Sequence, residues 1–373
     1  MDDPKRFPDA IDGVDIPATV EAARAEVRAL KAASVDSIKV MFDDLKYAGR
    51  PGKPAMSREI LLAVLDEAHR RGLKVYAHAT TLRYAKDFLR AGGDGLMHGI
   101  IDEPVDEEFL SLMKTGGRFY VPTLTLWEAI HDIAGFARRE AEFDTLHRNP
   151  EAEYALFQDP KIVEQANVRF GGGLPEQNLK LAKENLKRVA SSGIPVATGT
   201  DTGVPGVLQG VAAQLELVLF VEAGLSPAEA LRASTLTAQR ILGRVEQSGE
   251  VAVGKLADLV VLDGDPMWDI HNISKVFAVI KSGGGALKRP ASLRNRNERS
   301  IRVSITGILI RPRSLSRPKR PEHSSPRFPK LRGCGCGASS DTKARPQASK
   351  SVSTRPTRRR LPARNALSYG GVT

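Results

Sequence analysis

Four side chains able to bind a metal or move a proton fall in or at the ends of short apolar runs. Lys39 lies inside SIKVMF, His78 near the end of KVYAHA, His98 in GLMHG, and Asp201 directly after VATGT. In a parallel α/β arrangement the C-terminal strand ends open on one mouth, so residues far apart in sequence meet there. Two imidazoles and a carboxylate make a nitrogen and oxygen donor set that suits zinc and leaves a position for water. Each residue also has a plainer reading. A histidine at a strand end is more often hydrogen-bonded than ligating, and G-T-D-T-G is equally a tight turn or a helix cap. Lys39, between Ile38 and Val40, is costly to bury unpaired. The remaining histidines, His69, His131, His147, His271 and His323, lie in helical, loop or tail contexts and are read as non-catalytic.

The elements that position these residues alternate. Helical spacing over residues 18–34 leads into a strand at 37–42, and residues 57–71, with Ser57 as cap and Gly72 as stop, lead into a strand at 74–79. A helix at 82–90 precedes a strand at 95–99, and a helix at 106–114 precedes a strand at 120–126. Residues 127–192 read as mostly helical, interrupted at 171–173, and are followed by a strand at 195–200. Helices at 209–222 and 227–242, separated by Gly224, complete the series. Short apolar strands alternating with helices predict an α/β fold with a parallel sheet of five strands. Beyond Leu242, strands are expected at 249–253, 258–262 and 276–281, as a small β element.

The chain has 373 residues, 41% hydrophobic and 27% charged, which excludes collagen-like and wholly disordered classes. No apolar run is long enough to span a membrane, and the first thirty residues carry charges throughout, with no export-signal centre. The net charge of +11 is unevenly placed. From Gly285 onward stand 22 of the 55 Lys and Arg but 3 of the 44 Asp and Glu, so the preceding part holds 33 basic and 41 acidic residues. Both cysteines, Cys334 and Cys336, lie in this Arg/Pro/Ser-rich tail as a C-x-C without the partners of a zinc site. Disorder is expected from residue 285 onward, with 300–310 the one stretch able to form a strand.

SIKVMFDD, KVYAHA, GLMHG, PVATGTDTGVP, LELVLFVEAGLSPAEALRASTLTAQRILG and SGEVAVGKLADLVVLDGDPMWDI together resemble the amidohydrolase superfamily. The nearest branch is the group of imidazolonepropionase and Xaa-Pro dipeptidase-like enzymes. The likeness covers about residues 10–284 and is most specific over 198–269. It implies a (β/α)8 TIM-like barrel of which this chain carries strands four to eight (residues 1–242). A remnant of a small β-sandwich domain (243–284) and a disordered basic tail (285–373) would follow. By the same resemblance, Lys39 is the strand-four lysine, carboxylated in binuclear members. His78 and His98 are the metal-binding histidines of strands five and six, and Asp201 is the strand-eight metal ligand and general base. The implied cofactor is Zn2+, as one or two divalent ions, and the implied reaction is hydrolysis of an amide or other C–N bond in a small, dipeptide-like substrate.

Two departures accompany the resemblance. The family's first strand carries an H-x-H pair, and none occurs among the seven histidines here, so the expectation is a chain beginning just before strand four. The abrupt change after residues 283–285 is of the kind a reading-frame shift gives. Residues 123–148 and 202–209 are expected to contact substrate. The partners expected are a small-molecule substrate and a second copy of the chain, with no membrane and no specific nucleic acid, in the cytoplasm. The alternative is an inactive truncated homologue. A more distant one is non-specific nucleic-acid binding through the tail, which carries only Phe328 and Tyr369 as aromatics.

Overall fold

The computed structural model describes residues 17–46, 56–288, 302–303 and 308–310. Its first helix, α1 (Val20–Ala32), starts where the Thr19 hydroxyl accepts from the Ala22 amide at 3.1 Å, and it buries Ala23 and Val27, one turn apart. β1 (Ser37–Met41) follows, then α2 (Arg58–Arg70), β2 (Lys74–His78), α3 (Leu82–Arg90) and β3 (Gly95–Met97). α4 (Glu107–Lys114), capped by Asp106, leads into β4 (Phe119–Val121). The four strands pair in parallel in the order β1-β2-β3-β4, as the alternation with helices requires. Their register places Lys39 beside Tyr76, Met41 beside His78, and His78 beside Met97.

Pleating sorts the side chains of this sheet. Ile38 and Val40 of β1 enter a core shared with Val75, Ala77, Leu96 and Tyr120 and with Leu61, Phe88, Phe109 and Leu186 from the covering helices. Lys39 and Met41 point to the opposite face. Lys39 is therefore exposed rather than buried between Ile38 and Val40, because strand alternation separates it from both. On that face Tyr76, Met97, Phe119 and Val121 pack with Ala197 and with Ala238 and Ile241.

The strand expected at 120–126 ends at Val121. Pro122 has no amide to extend the ladder, Thr123 turns to φ 48°, and α5 (Leu124–His131) begins at once. The strand expected at 195–200 is reduced to a bridge between Tyr120 and Val196. The Tyr120 amide donates to Pro195 O at 3.0 Å and the Ala197 amide to Tyr120 O at 3.1 Å, and pairing stops because β4 itself stops. Among the described residues the parallel sheet thus has four strands plus this fifth, bridged position.

α6 (Ile133–Phe143), α7 (Glu151–Leu156), α8 (Pro160–Arg169) and α9 (Glu176–Ser191) fill the predicted helical stretch. Gly171, Gly172 and Gly173 separate the last two, all at positive φ. α10 (Val211–Glu222) is buried at Val211, Ala212 and every residue from Leu215 to Phe220, as expected of a helix apolar on all sides. The helix expected over 227–242 is divided: α11 (Pro227–Arg232), a π-helical turn (Ala233–Thr237) and α12 (Ala238–Ile241).

The second sheet is built on β5 (Leu259–Leu262), antiparallel to β6 (Val276–Lys281). Residues 249–253 form no strand, because Gly249 and Gly254 both turn to positive φ and leave too short a run between them. Past residue 285, where disorder was expected to start, backbone pairing continues. β7 (Gly284–Lys288) returns antiparallel to β6, while β8 (Arg302–Val303) and β9 (Ile308–Ile310) pair with each other, β9 lying parallel to β5. The turn at Ser282 and Gly283, both at positive φ, makes that return possible. The rest of the expected tail lies outside the described residues. No helix among the described residues is long and apolar enough to cross a membrane.

Candidate functional site

His78 is the last residue of β2, and His98 follows the last residue of β3. Because these strands are neighbours in register, the two imidazoles meet with ring centroids 4.3 Å apart and planes inclined at 58°. Both are buried, His98 to 1% exposure. From the middle of β1 the long side chain of Lys39 spans the sheet, placing Nζ 3.3 Å from His98 Nε2. Lys39, His78 and His98 are thus brought together as expected. Asp201 stands at the same mouth on the loop after residues 195–200, near enough for the Lys39 charge to act on its carboxyl.

Burial holds His78 down at about 3, with the Lys39 ammonium adding to the effect. His98 is pushed well below the usual imidazole value by burial first, then by His78 and Lys39. Both rings are therefore neutral at physiological pH, with lone pairs available. Asp201 remains open to solvent, yet the protein around it raises its carboxyl above the ordinary range, and the Lys39 charge pulls the other way. A lysine ammonium can only donate, so His98 Nε2 accepts from it. Nδ1 then carries the ring proton and donates to Thr123 Oγ1 at 3.0 Å. Trp127 stands edge-on to His98 at 6.3 Å and donates from Nε1 to Pro122 O at 3.1 Å.

Backbone strain gathers here. Of the seven described non-glycine residues at positive φ, three are His98 (75°), Thr123 (48°) and Asp201 (55°). Such conformations cost on the order of 1–3 kcal/mol each and persist where surrounding structure over-determines them. The surroundings are polar side chains that hold backbone amides of the mouth loops. Asp43, after β1, accepts from the Thr80 amide at 2.6 Å and the Thr80 hydroxyl at 2.7 Å, after β2. Asp102, after β3, accepts from the Leu82 amide at 2.9 Å. Asn185 of α9 accepts from the Val105 amide at 2.9 Å and donates to the Ile100 and Glu103 carbonyls. Glu216 of α10 accepts from the Leu124 and Thr125 amides, and Glu140 of α6 from that of Leu208.

Thr123, Trp127 and Glu216 were not among the residues singled out from sequence. Thr123 lay inside a span assigned to substrate contact without a role of its own. Glu216 did carry a signal, as the only charge in the apolar run VAAQLELVLF. Among the described residues no three His, Cys, Asp or Glu side chains gather as a metal-binding group.

The amidohydrolase family model matches residues 9–284. The imidazolonepropionase of Geobacillus kaustophilus (strain HTA426) is 34% identical over 103 residues, covering 26% of this chain and 24% of the relative. The structure of a Xaa-Pro dipeptidase with methionine bound in its active site superposes with a TM-score of 0.55 at 25% identity, covering 75% of this chain and 63% of that one. An ochratoxinase from A. niger gives 0.54 at 26% identity, covering 74% and 56%. The chain thus spans about a quarter of the imidazolonepropionase and less than two thirds of either hydrolase structure. With the family's match extending over most of the chain, and with its α/β fold and parallel sheet, this protein belongs to the amidohydrolase family.

Proposed function

We propose that the chain is a metal-dependent hydrolase of C–N bonds in small amide or dipeptide-like substrates, working at the mouth formed by Lys39, His78, His98 and Asp201. The observation that carries this reading is the pair of buried, neutral imidazoles in ring contact at adjacent strand ends, with the Lys39 amine against one of them. The donor chemistry fits a divalent transition metal, zinc above all: two unprotonated nitrogens with a carboxylate at the same mouth. Lys39 fits once it is carboxylated, since its ammonium repels a cation. His78 and His98 would hold the metal as they stand. Asp201, at the same mouth, does not close a three-member group with them and would have to approach as a third ligand, with carboxylated Lys39 as a further one if there are two metals. Bound there, the metal would acidify a water and polarise the scissile carbonyl.

The chain's own residues supply the rest of the argument. Asp201, solvent-reached but with a raised carboxyl, is suited to take a proton from water and pass it to the leaving nitrogen. His98 keeps Nε2 unprotonated because Nε2 accepts from the Lys39 amine, which leaves the ring proton on Nδ1 to be donated to Thr123. The likeness to a Xaa-Pro dipeptidase supports the dipeptide-like class. Residues 123–148 and 202–209 are proposed to contact the substrate. A partial barrel of strands four to eight, a cytoplasmic location and self-association belong to the same proposal.

A second reading, an inactive homologue, is favoured by the absence of a three-member His, Cys, Asp or Glu group among the described residues. One experiment separates the two. Metal per chain is measured after purification in zinc-containing buffer, and hydrolysis is followed with a panel of Xaa-Pro dipeptides and N-acyl amino acids. The hydrolase reading expects stoichiometric metal and turnover, both lost in His78→Ala and Asp201→Ala. Metal-free protein without turnover overturns it in favour of the inactive homologue.

A further inference from the structure

A threonine at a helix N-cap ordinarily turns its hydroxyl back onto the helix's second or third amide. Thr123, the N-cap of α5, does not: its backbone is left-handed (φ 48°, ψ 56°) and its side chain makes no capping bond. Its Oγ1 lies instead 3.0 Å from His98 Nδ1. The amides it leaves uncapped are all accounted for. Those of Leu126 and Trp127 donate to Thr123 O at 3.1 and 3.4 Å. Those of Leu124 and Thr125 donate to the two oxygens of Glu216, at 2.9 and 2.8 Å.

Glu216 is wholly buried and lies 92 residues from Leu124 in sequence. A carboxylate in such a place is expensive unless its oxygens are used, and burial pushes it up to about 7 against the pull of the two amides. Were only core packing required, an apolar side chain would serve at lower cost. Thr125, whose amide Glu216 holds, also touches the loop that carries Asp201. The Thr125 hydroxyl donates to Thr200 O at 3.3 Å, and Thr200 precedes Asp201.

We propose that Glu216 is a positioning residue for the site. By capping α5 in place of Thr123, it leaves the Thr123 hydroxyl free to accept from His98 Nδ1–H and hold the ring with Nε2 turned toward the Lys39 side. This rests on His98 being a site residue, as in the function proposed above, but it requires neither bound metal nor turnover.

The test uses the full chain, metal-free and labelled with ring-15N histidine. Long-range 1H–15N correlation spectra report the tautomer of His98, which is assigned with a His98→Asn variant. The parent should show a single Nδ1–H tautomer. Thr123→Val, which keeps the branched shape without the hydroxyl, removes the acceptor of Nδ1–H and should shift the His98 Nδ1 resonance and broaden the ring signals. Glu216→Gln should do the same while speeding amide exchange at Leu124 and Thr125 roughly tenfold or more, the equivalent of a lost charge-assisted hydrogen bond.

Unchanged His98 ring signals in folded Glu216→Gln, with Thr123→Val altered, would make Glu216 a helix cap only and overturn the proposal. Unchanged ring signals in Thr123→Val overturn it as well. If Glu216→Gln does not fold, Glu216→Asp replaces it, being too short to span both amides. Failure of both to fold marks Glu216 as a stability residue and also overturns the proposal. Absence of hydrolysis with the ring-signal pattern as expected would instead sink the proposed function and leave the positioning role standing.

Discussion

Thr123 and Glu140 show how much the mouth depends on single polar side chains. The hydroxyl of Thr123 orients His98, and outer partners of a ligating histidine typically contribute 10–100-fold to metal affinity. If the mouth binds zinc as proposed, Thr123→Val should weaken that binding by about that factor, checked by competition with a chromophoric chelator. Glu140 is fully buried, and burial pushes it up to about 8 from 4.5, with Asp144 acting in the same direction. The folded chain then holds a proton that the unfolded chain releases. Its contribution to stability is complete below about 4.5 and lost as pH rises through about 8. Thermal melts across that window should accordingly show a shallower fall for Glu140→Gln than for the parent. At this scale the sequence pointed to Lys39 within a strand and to His78, His98 and Asp201 at strand ends within a familiar pattern, and the structure brings the first three into contact. Thr123 was illegible because its importance lies in a left-handed backbone that local sequence does not encode.

The helices and strands were legible where caps and stops are local. α3 spans the same residues as predicted, and α2 begins after Ser57, whose hydroxyl accepts from the Ile60 amide. Elements failed to follow the reading where a neighbour decided the matter. TLTL alternates like a strand, but Pro122 ends the ladder and α10 supplies the cap that starts a helix. Residues 195–200 lose their pairing because β4 is short, and the run at 227–242 contains a π turn that periodicity does not reveal. The α3-to-β3 connection provides a further test. A Cβ at Gly93 would lie 2.0 Å from a ring carbon of Phe88, which is itself fully buried and cannot swing aside. Gly93→Ala is expected to destabilise the fold by about 1–3 kcal/mol, measured by denaturant unfolding.

Across the molecule, the parallel sheet presents β1 as an edge among the described residues. That edge carries Ile38, Val40 and Met41, with Lys39 as the one charge along it. Charged edge residues oppose strand-to-strand association, and Lys39, on the edge strand, is expected to do so here. Lys39→Val leaves an uncharged, β-branched window, and static light scattering should register concentration-dependent association absent from the parent. The split of charge between body and tail was plain from composition, but that says nothing of fold. Nor did composition foretell that β7 and β9 would join the sheet of β5 and β6, since pairing across tens of residues is a tertiary outcome. The hydrogen bonds from Thr80 to Asp43 and from Leu82 to Asp102 carry a lesson for anyone wishing to re-engineer specificity. Each rim loop is buttoned to the next, so grafting one loop from a relative would leave a carboxylate or an amide of its neighbour stranded. Transplants should succeed only when adjoining loops travel as a matched set.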